Sequence, residues 1–474
     1  MAEIEISLEK VGKGSSVPSQ PVLVDAIERP LAGKRVGLTT LGCKVNTFES
    51  EMISQALQTQ DWSVVPHSEV ADLYIINTCT VTKEADRQAR QAVRRAVKRN
   101  SDAIVLVTGC YAQMDPDACA AIPGVDLVLG NDRKLDVHNL LPRLERGELP
   151  KVMVGDLHEQ VSLPTELLTR YEAQTRAFVQ IQQGCDQGCT FCIIHVARGP
   201  SRSLPATLIK RQVARLALTG YSEVVLCGVD LGSYGDDHGF GALSLVELVK
   251  ELLDLPANDG NEFRLRLSSI DPAHITDDLI ALYAKNPRLC PHIHLSMQSG
   301  NTLVLKRMKR RYSASFIRER IMTFREHVPD LVISADVLVG FPTETEAQFQ
   351  DTLDVIEELN IAFPHVFSYS ERDGTPAARI PEAKQVPVPV RKQRNQQVRD
   401  LGQNLRQNLL HSRVGQEGWV LPEKESHEKN EFIARGEDYL SVKIPANGIE
   451  HGRWTKVRFL AVEGDYLLAR PVSI

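Results

Sequence analysis

The sequence predicts an α/β chain in three parts: an N-terminal doubly wound parallel sheet, a central partial barrel of β–α repeats, and a small C-terminal β-barrel. Three observations carry this reading. Short apolar, β-rich runs alternate with helix-length segments from Arg35 to about Gly155, as in an open parallel sheet. The alternation resumes from Phe178 to about Tyr369 with six such repeats, enough for a partial parallel barrel whose functional groups lie at the carboxyl ends of its strands. From Val414 onward there are only short strand-like runs and Gly turns, as in a small barrel.

In chain order, residues 1–33 are polar, bear Ser and Pro, and are expected to be a loose extension. Within 34–155 the strands are RVGLTTLGC, LYIINTC, AIVLVTGC and VDLVLGN, with helices near 48–60, 83–99 and 134–146. A polar linker (156–176) leads to 177–411, with strands AFVQIQQGC, EVVLCGVDLG, FRLRLSSI, HIHLSMQSG, LVISADVLVGFP and FPHVFSYS and a trailing polar, basic helix. Residues 412–474 form the terminal barrel, with nine basic and ten acidic residues.

The chain has 474 residues, 42% of them apolar, which is ample for real cores. Its start, MAEIEISLEK, is acidic and lacks the apolar stretch of a signal peptide, and no apolar run approaches the ~20 residues needed to span a bilayer. The expectation is a cytoplasmic chain with no membrane partner. The net charge of −6 provides no global attraction to nucleic acid, so any such binding must be local. Two stretches qualify, both read as helices: 83–100, with seven basic and two acidic residues, and 306–325, with eight and one. Each is equally consistent with a solvated helix face.

Nine cysteines in a cytosolic chain argue for metal or catalytic work rather than disulfides. Cys185, Cys189 and Cys192 lie in GCDQGCTFC on one short loop after the first barrel strand. Three thiolates are one too few for a closed structural zinc site, whereas a cubane iron–sulfur cluster held by three cysteines keeps one iron open; taken alone, the loop also admits a zinc or redox reading. Cys43, Cys79 and Cys110 each end an apolar strand-like run. Parallel strands share one ligand-binding edge, which places these three along one rim and suggests a second, dispersed cluster site. The plain alternative for each is a buried small hydrophobe, and that reading is preferred for Cys119, Cys227 and Cys290.

From Arg35 to its end the chain resembles the radical S-adenosylmethionine (SAM) methylthiotransferases. The motifs are TLGCKVNTFESE, INTCTVTKEADRQAR, VTGCYAQ, CDQGCTFC, LRLSSIDP, CPHIHLSMQSGNTLVLKRMKRRY and DVLVGFPTETEAQF, and the terminal barrel resembles the RNA-binding TRAM domain. The resemblance implies two [4Fe-4S] clusters, an auxiliary one on Cys43, Cys79 and Cys110 and a SAM-cleaving one on Cys185, Cys189 and Cys192. It implies SAM near Gly228 and Asp230 of CGVDLG and near Ser268 and Ser269 of RLSSIDP, though each could be an ordinary turn or strand-end group. The chemistry implied is a 5′-deoxyadenosyl radical that opens an unreactive carbon to sulfur, followed by methylation from a second SAM. The partners implied are the anticodon loop of a tRNA, an electron donor protein and a sulfur donor, with the two basic helices on flanking phosphates.

The family has branches for an isopentenyl adenosine of tRNA, a threonylcarbamoyl adenosine of tRNA, and an aspartate of a ribosomal protein. GCKVNTFES, CTVTKEAD and LCPHIHL with KRMKRRY are most similar to the threonylcarbamoyl branch. His195–Val196 stands where Pro–Tyr is common, Ser296 where proline is usual, and these departures bear on local loop shape and substrate fit. The acidic tilt of the terminal barrel favours the protein-modifying branch. A non-catalytic iron–sulfur protein on a tRNA-binding scaffold is the alternative of another class, which the SAM-site motifs argue against.

Overall fold

A computed structural model describes residues 34–145, 147–158, 167–171, 174–239, 242–256, 263–426 and 430–472; the extension expected over 1–33, and part of the 156–176 linker, lie outside them. The first sheet has six parallel strands in the order Ser63–Val65, Arg35–Thr40, Leu73–Thr78, Ile104–Gly109, Leu127–Leu129 and Val152–Met153. The first and last of these were not foreseen, because three and two residues are too short to show a periodicity. Leu73–Thr78 and Ile104–Gly109 are buried at every position, as strands covered on both faces must be. Leu73 and Ile75 pack with helices Lys44–Gln58 and Val137–Glu145, while Tyr74 and Ile76 pack with helix Lys83–Arg99, so the sheet is doubly wound. The strand order reverses between Arg35–Thr40 and Leu73–Thr78, which makes the crevice at their carboxyl ends the topological switch point.

The central strands Ala177–Gln180, Glu223–Cys227, Arg264–Leu267, Ser269–Ile270, His292–Gln298, Val332–Val339 and Phe363–Ser368 form two parallel sheets, of three and four strands. The division falls at Ser268. The chain pairs with Glu223–Cys227 before it and with His292–Gln298 after it, so one bent strand joins both sheets into the expected partial barrel. Val45, Phe48 and Met52 of helix Lys44–Gln58 enter the same core as Phe178 and Val179. The first domain is thereby built into the wall of the second.

Residues 417–471 close a five-stranded barrel in the order Glu417–Ser426, Glu431–Gly436, Ser441–Pro445, Tyr466–Pro471 and Thr455–Glu463. Leu410, near the end of the long helix Val388–Arg413, is buried in its core. The turn between the second and third of these strands reaches under the central barrel. Tyr439 adopts φ 74°, stacks on His292 at 4.5 Å between centroids, and lies beneath the guanidinium groups of Arg176, Arg266 and Arg435. Arg266 forms a buried 2.7 Å pair with Glu223 and donates to the Glu437 carbonyl. These residues lie at the amino ends of the central strands and shut that end.

Candidate functional site

Cys43, Cys79 and Cys110 lie at the carboxyl ends of adjacent strands. Cys43 precedes helix Lys44–Gln58, Cys79 follows Leu73–Thr78 directly, and Cys110 opens a short helix straight after Ile104–Gly109. The glycines before two of them are required by their backbone. Gly42 has φ 107°, and a Cβ there would lie 2.8 Å from that of Cys79; Gly109 has φ 94°, and its Cβ would strike the Thr78 backbone. Asn46 ties the rim together by donating to the carbonyls of Leu41 (2.6 Å) and Thr78 (3.0 Å).

The second set is local. The Gln187 and Ile194 backbone N–H groups point at the sulfurs of Cys185 and Cys192, at 3.5 and 3.4 Å. Arg310 donates to the Cys189 sulfur (3.6 Å), to Asp271 (3.1 Å) and to the Ser296 carbonyl (3.1 Å). Asp230 is buried beside this loop, where it accepts from Gln187 (2.8 Å) and Ser233 (3.0 Å) and has an oxygen 3.9 Å from the Cys185 sulfur. Gly228 lies against Gln182, which accepts from the N–H groups of Val229 and Asp230. Ser268 is buried at the bend of its strand, with Ser269 next to it. All four residues expected near SAM therefore lie at carboxyl ends of the central strands, on the side of the cysteine loop.

Charged side chains join the two sets of cysteines. Arg198, six positions after Cys192, crosses into the first domain and pairs with Glu49 (2.8 Å) and Asn46 (2.5 Å); Lys134 meets the same carboxylate at 2.5 Å. Each of the three charged residues is 1% exposed. Burial alone would raise the Glu49 carboxyl, but Arg198 and Lys134 hold it below its usual range. Burial and the Arg198 charge push Lys134 down. Asn131 donates to the Ala197 carbonyl (2.6 Å) and lies 3.8 Å from the Cys110 sulfur. Arg198 and Asn131 thus tie the stretch after Cys192 to the rim that carries Cys43 and Cys110, so the two sets share one end of the central barrel.

Burial pushes the thiols of Cys79 and Cys185 up to about 12 and that of Cys192 to about 11, with Cys110, Asp230 and Cys189 respectively adding to the rise. Only a ligand that takes thiolates would hold these cysteines deprotonated at neutral pH. Among the described residues no three His, Cys, Asp or Glu side chains converge as ligands of a single metal ion do. The surplus buried cation of Arg198 and Lys134 over Glu49 suits an anionic group beside Cys43 and Cys110.

Arg198, Glu49, Lys134 and Arg310 escaped the sequence reading, because isolated charged residues normally belong to the surface. One expectation is corrected. Residues 306–325 are not one basic helix: Thr302–Arg307 ends, Lys309 turns at φ 62°, and Ser313 caps a new helix, Ala314–His327. Arg310 is turned inward, and Arg318 and Arg320 are paired with Glu358 and Asp277. Lys306, Arg307, Lys309 and Arg311 remain exposed, and this turn is anchored to the cysteine loop through Thr190. Helix Lys83–Arg99 stands as read, with Arg94, Arg95 and Lys98 exposed. His195 is half-buried, and burial lowers its basicity; Val196 beside it is exposed.

The central parallel half-barrel with its cysteine loop defines a class: residues 179–356 match the Radical SAM superfamily. Residues 35–130 match the Uncharacterized protein family UPF0004. A threonylcarbamoyladenosine tRNA methylthiotransferase MtaB from Rickettsia prowazekii is 39% identical, over 91% of this chain and 96% of its own. A protein of the same name from Bacillus subtilis is 35% identical, over 91% and 95%. A tRNA-2-methylthio-N(6)-dimethylallyladenosine synthase from Roseobacter denitrificans is 33% identical, over 92% and 99%. Among solved structures, the radical S-adenosylmethionine methyltransferase TsrM from Kitasatospora setae, with cobalamin and a [4Fe-4S] cluster bound, superposes with a TM-score of 0.56 over 73% of this chain and 77% of that one, at 13% identity, a likeness of fold. The chain belongs to the radical SAM tRNA methylthiotransferases, enzymes whose cofactors are SAM and a [4Fe-4S] cluster. Among the described residues no helix is long and apolar enough to cross a membrane.

Proposed function

We propose that this enzyme adds a methylthio group to carbon 2 of N6-threonylcarbamoyladenosine next to the anticodon of tRNA, using two [4Fe-4S] clusters. The observation that carries the reading is the meeting of two independent sets of three cysteines at one end of the central barrel, bridged by Arg198 and Asn131. Cys185, Cys189 and Cys192 would hold the cluster that binds SAM, and Cys43, Cys79 and Cys110 the auxiliary one. When bound, these groups supply the radical and the sulfur that polar acid–base chemistry cannot deliver to an unreactive purine carbon.

The chain's own residues hold and orient. Gln187, Ser233 and the Gln182-bound backbone fix Asp230 beside Cys185, next to the expected place of SAM at Gly228, Ser268 and Ser269. Arg310, neutralised by Asp271, braces Cys189. Arg198 and Glu49 fix the spacing between the two sets. The threonylcarbamoyl substrate is supported by the wording of GCKVNTFES, CTVTKEAD and LCPHIHL and by the 39% and 35% identities to relatives of that name. An electron donor and a sulfur donor complete the cycle.

The test is mass spectrometry of tRNA nucleosides from a strain lacking the enzyme. Threonylcarbamoyladenosine should accumulate without its methylthio group while the isopentenyl series stays intact. Loss of the methylthio group from the isopentenyl nucleoside instead would overturn the substrate and keep the reaction class.

A further inference from the structure

The interior of the central barrel has two unlike walls. Along Ala177–Gln180 and Glu223–Cys227 the strands share an apolar core with Val45, Phe48 and Met52. Along the three strands opposite, alternate positions turn polar side chains inward: His292 and His294, Ser334 and Asp336, then His365. Their neighbours Ile293, Leu295, Ile333, Ala335 and Val366 face the outer core.

His294 Nε2 lies 3.0 Å from Asp336 Oδ1, and its ring stacks on that of His365 at 4.9 Å between centroids. His292 is 3% exposed; its Nε2 meets the Ser334 hydroxyl at 2.9 Å, and its Nδ1 has no hydrogen-bond partner. Lys44, half-buried, opens helix Lys44–Gln58 beside these strands, its neighbour Val45 sharing one apolar core with Ile293 and Leu295. Burial is the main cause of the lowered basicity of His292 and His365, and the Lys44 charge adds to it. His294 and Asp336 are half-buried and His365 is exposed, so the wall is open to a ligand. An apolar ligand that covered it would leave polar groups unpaired, at about 1–3 kcal/mol for each, whereas a hydrogen-bonding one would satisfy them.

Carbon 2 and N6 lie on the same edge of a purine, so a base that presents carbon 2 between the two sets of cysteines directs its N6 substituent along this interior. We propose that Lys44, His294 and His365 form the subsite for the carboxylate of that substituent, with Asp336 accepting from its hydroxyl or N–H. Two of the stretches most similar to the threonylcarbamoyl branch, GCKVNTFES and LCPHIHL, supply Lys44 and His294. The proposal rests on the threonylcarbamoyl reading above and assigns residues to it.

The experiment is equilibrium binding of the full-length protein to synthetic anticodon stem-loops carrying, at the target position, adenosine, threonylcarbamoyladenosine, its methyl ester, or isopentenyladenosine. The wild type should prefer the threonylcarbamoyl loop to the adenosine loop by about tenfold or more, since hydrogen bonds to a charged group are the strong ones. The ester should lose most of that preference. Lys44→Gln and His365→Leu should each bring it to within about twofold while binding the adenosine loop as the wild type does. An ester bound as tightly as the acid, variants that keep the full preference, or a wild type that makes no distinction overturns the subsite. A wild type that binds the isopentenyl loop best removes the substrate reading as well. The ester arm needs no variant, so it decides even if a substitution disturbs folding.

Discussion

The two sets of cysteines differ in how they are assembled. Cys185, Cys189 and Cys192 fall within eight consecutive positions of one loop, held by local N–H groups, by Arg310 from the turn between two helices and, through it, by Asp271 from a neighbouring strand end. Cys43, Cys79 and Cys110 come from three strands and meet only because a parallel sheet brings its carboxyl ends to one edge. The first set is a property of a loop, and the second is a property of a fold. Loss of packing in the first domain therefore threatens one set far more than the other.

The sharpest way to break this comparison is to remove each set in turn. Anaerobically reconstituted protein should hold about eight irons, falling to about four with either triple Cys→Ala change. Only the Cys185/Cys189/Cys192 change should abolish SAM cleavage, measured as 5′-deoxyadenosine. Equal loss of cleavage from both changes, or zinc in place of iron, would remove the division of labour.

A smaller effect tests the bridge between the sets. Glu49→Leu leaves two buried cations without their carboxylate and should cost about 3–5 kcal/mol in denaturant unfolding. Arg198→Met leaves the Glu49–Lys134 pair intact and should cost clearly less. Equal costs would mean that Lys134 is not a true partner. The smallest effect concerns tRNA. Arg94→Glu with Arg95→Glu and Lys98→Glu should weaken binding and flatten its salt dependence, the slope falling by about 0.9 for each phosphate no longer neutralised; an unchanged slope would reduce that helix to a solvated face.

What the sequence showed and what it hid follow the same division. The cysteine loop was legible because its ligands are neighbours, and the rim because each cysteine ends an apolar strand. The doubly wound sheet, the half-barrel and the terminal barrel were legible from periodicity. Arg198, Glu49 and Lys134 were not, since nothing local tells a buried charge from an exposed one and their partners lie up to 152 positions away. The run 306–325 misled for the same reason: its composition reads as one cationic surface, yet a left-handed Lys309 breaks it and Arg310 turns to the cysteines. The terminal barrel was read as near-neutral with an acidic tilt, and it also spends basic residues on its own carboxylates, with Lys456 and Arg458 on Glu417 and Lys443 on Glu463.

Tyr439 and its ring of guanidinium groups shut the amino end of the central strands from below. Traffic through the enzyme is thereby confined to the end where the cysteines stand. On the proposed chemistry two molecules of SAM are consumed for each base modified, and the second must arrive, and the spent first depart, past the RNA that covers the same doorway. Turnover then depends on the RNA lifting between the two halves of the cycle or leaving a gap beside it. A C-terminal truncation that removes Tyr439 would open a back door to water, so its loss of activity would report a leaking chamber as much as a weakened grip on RNA.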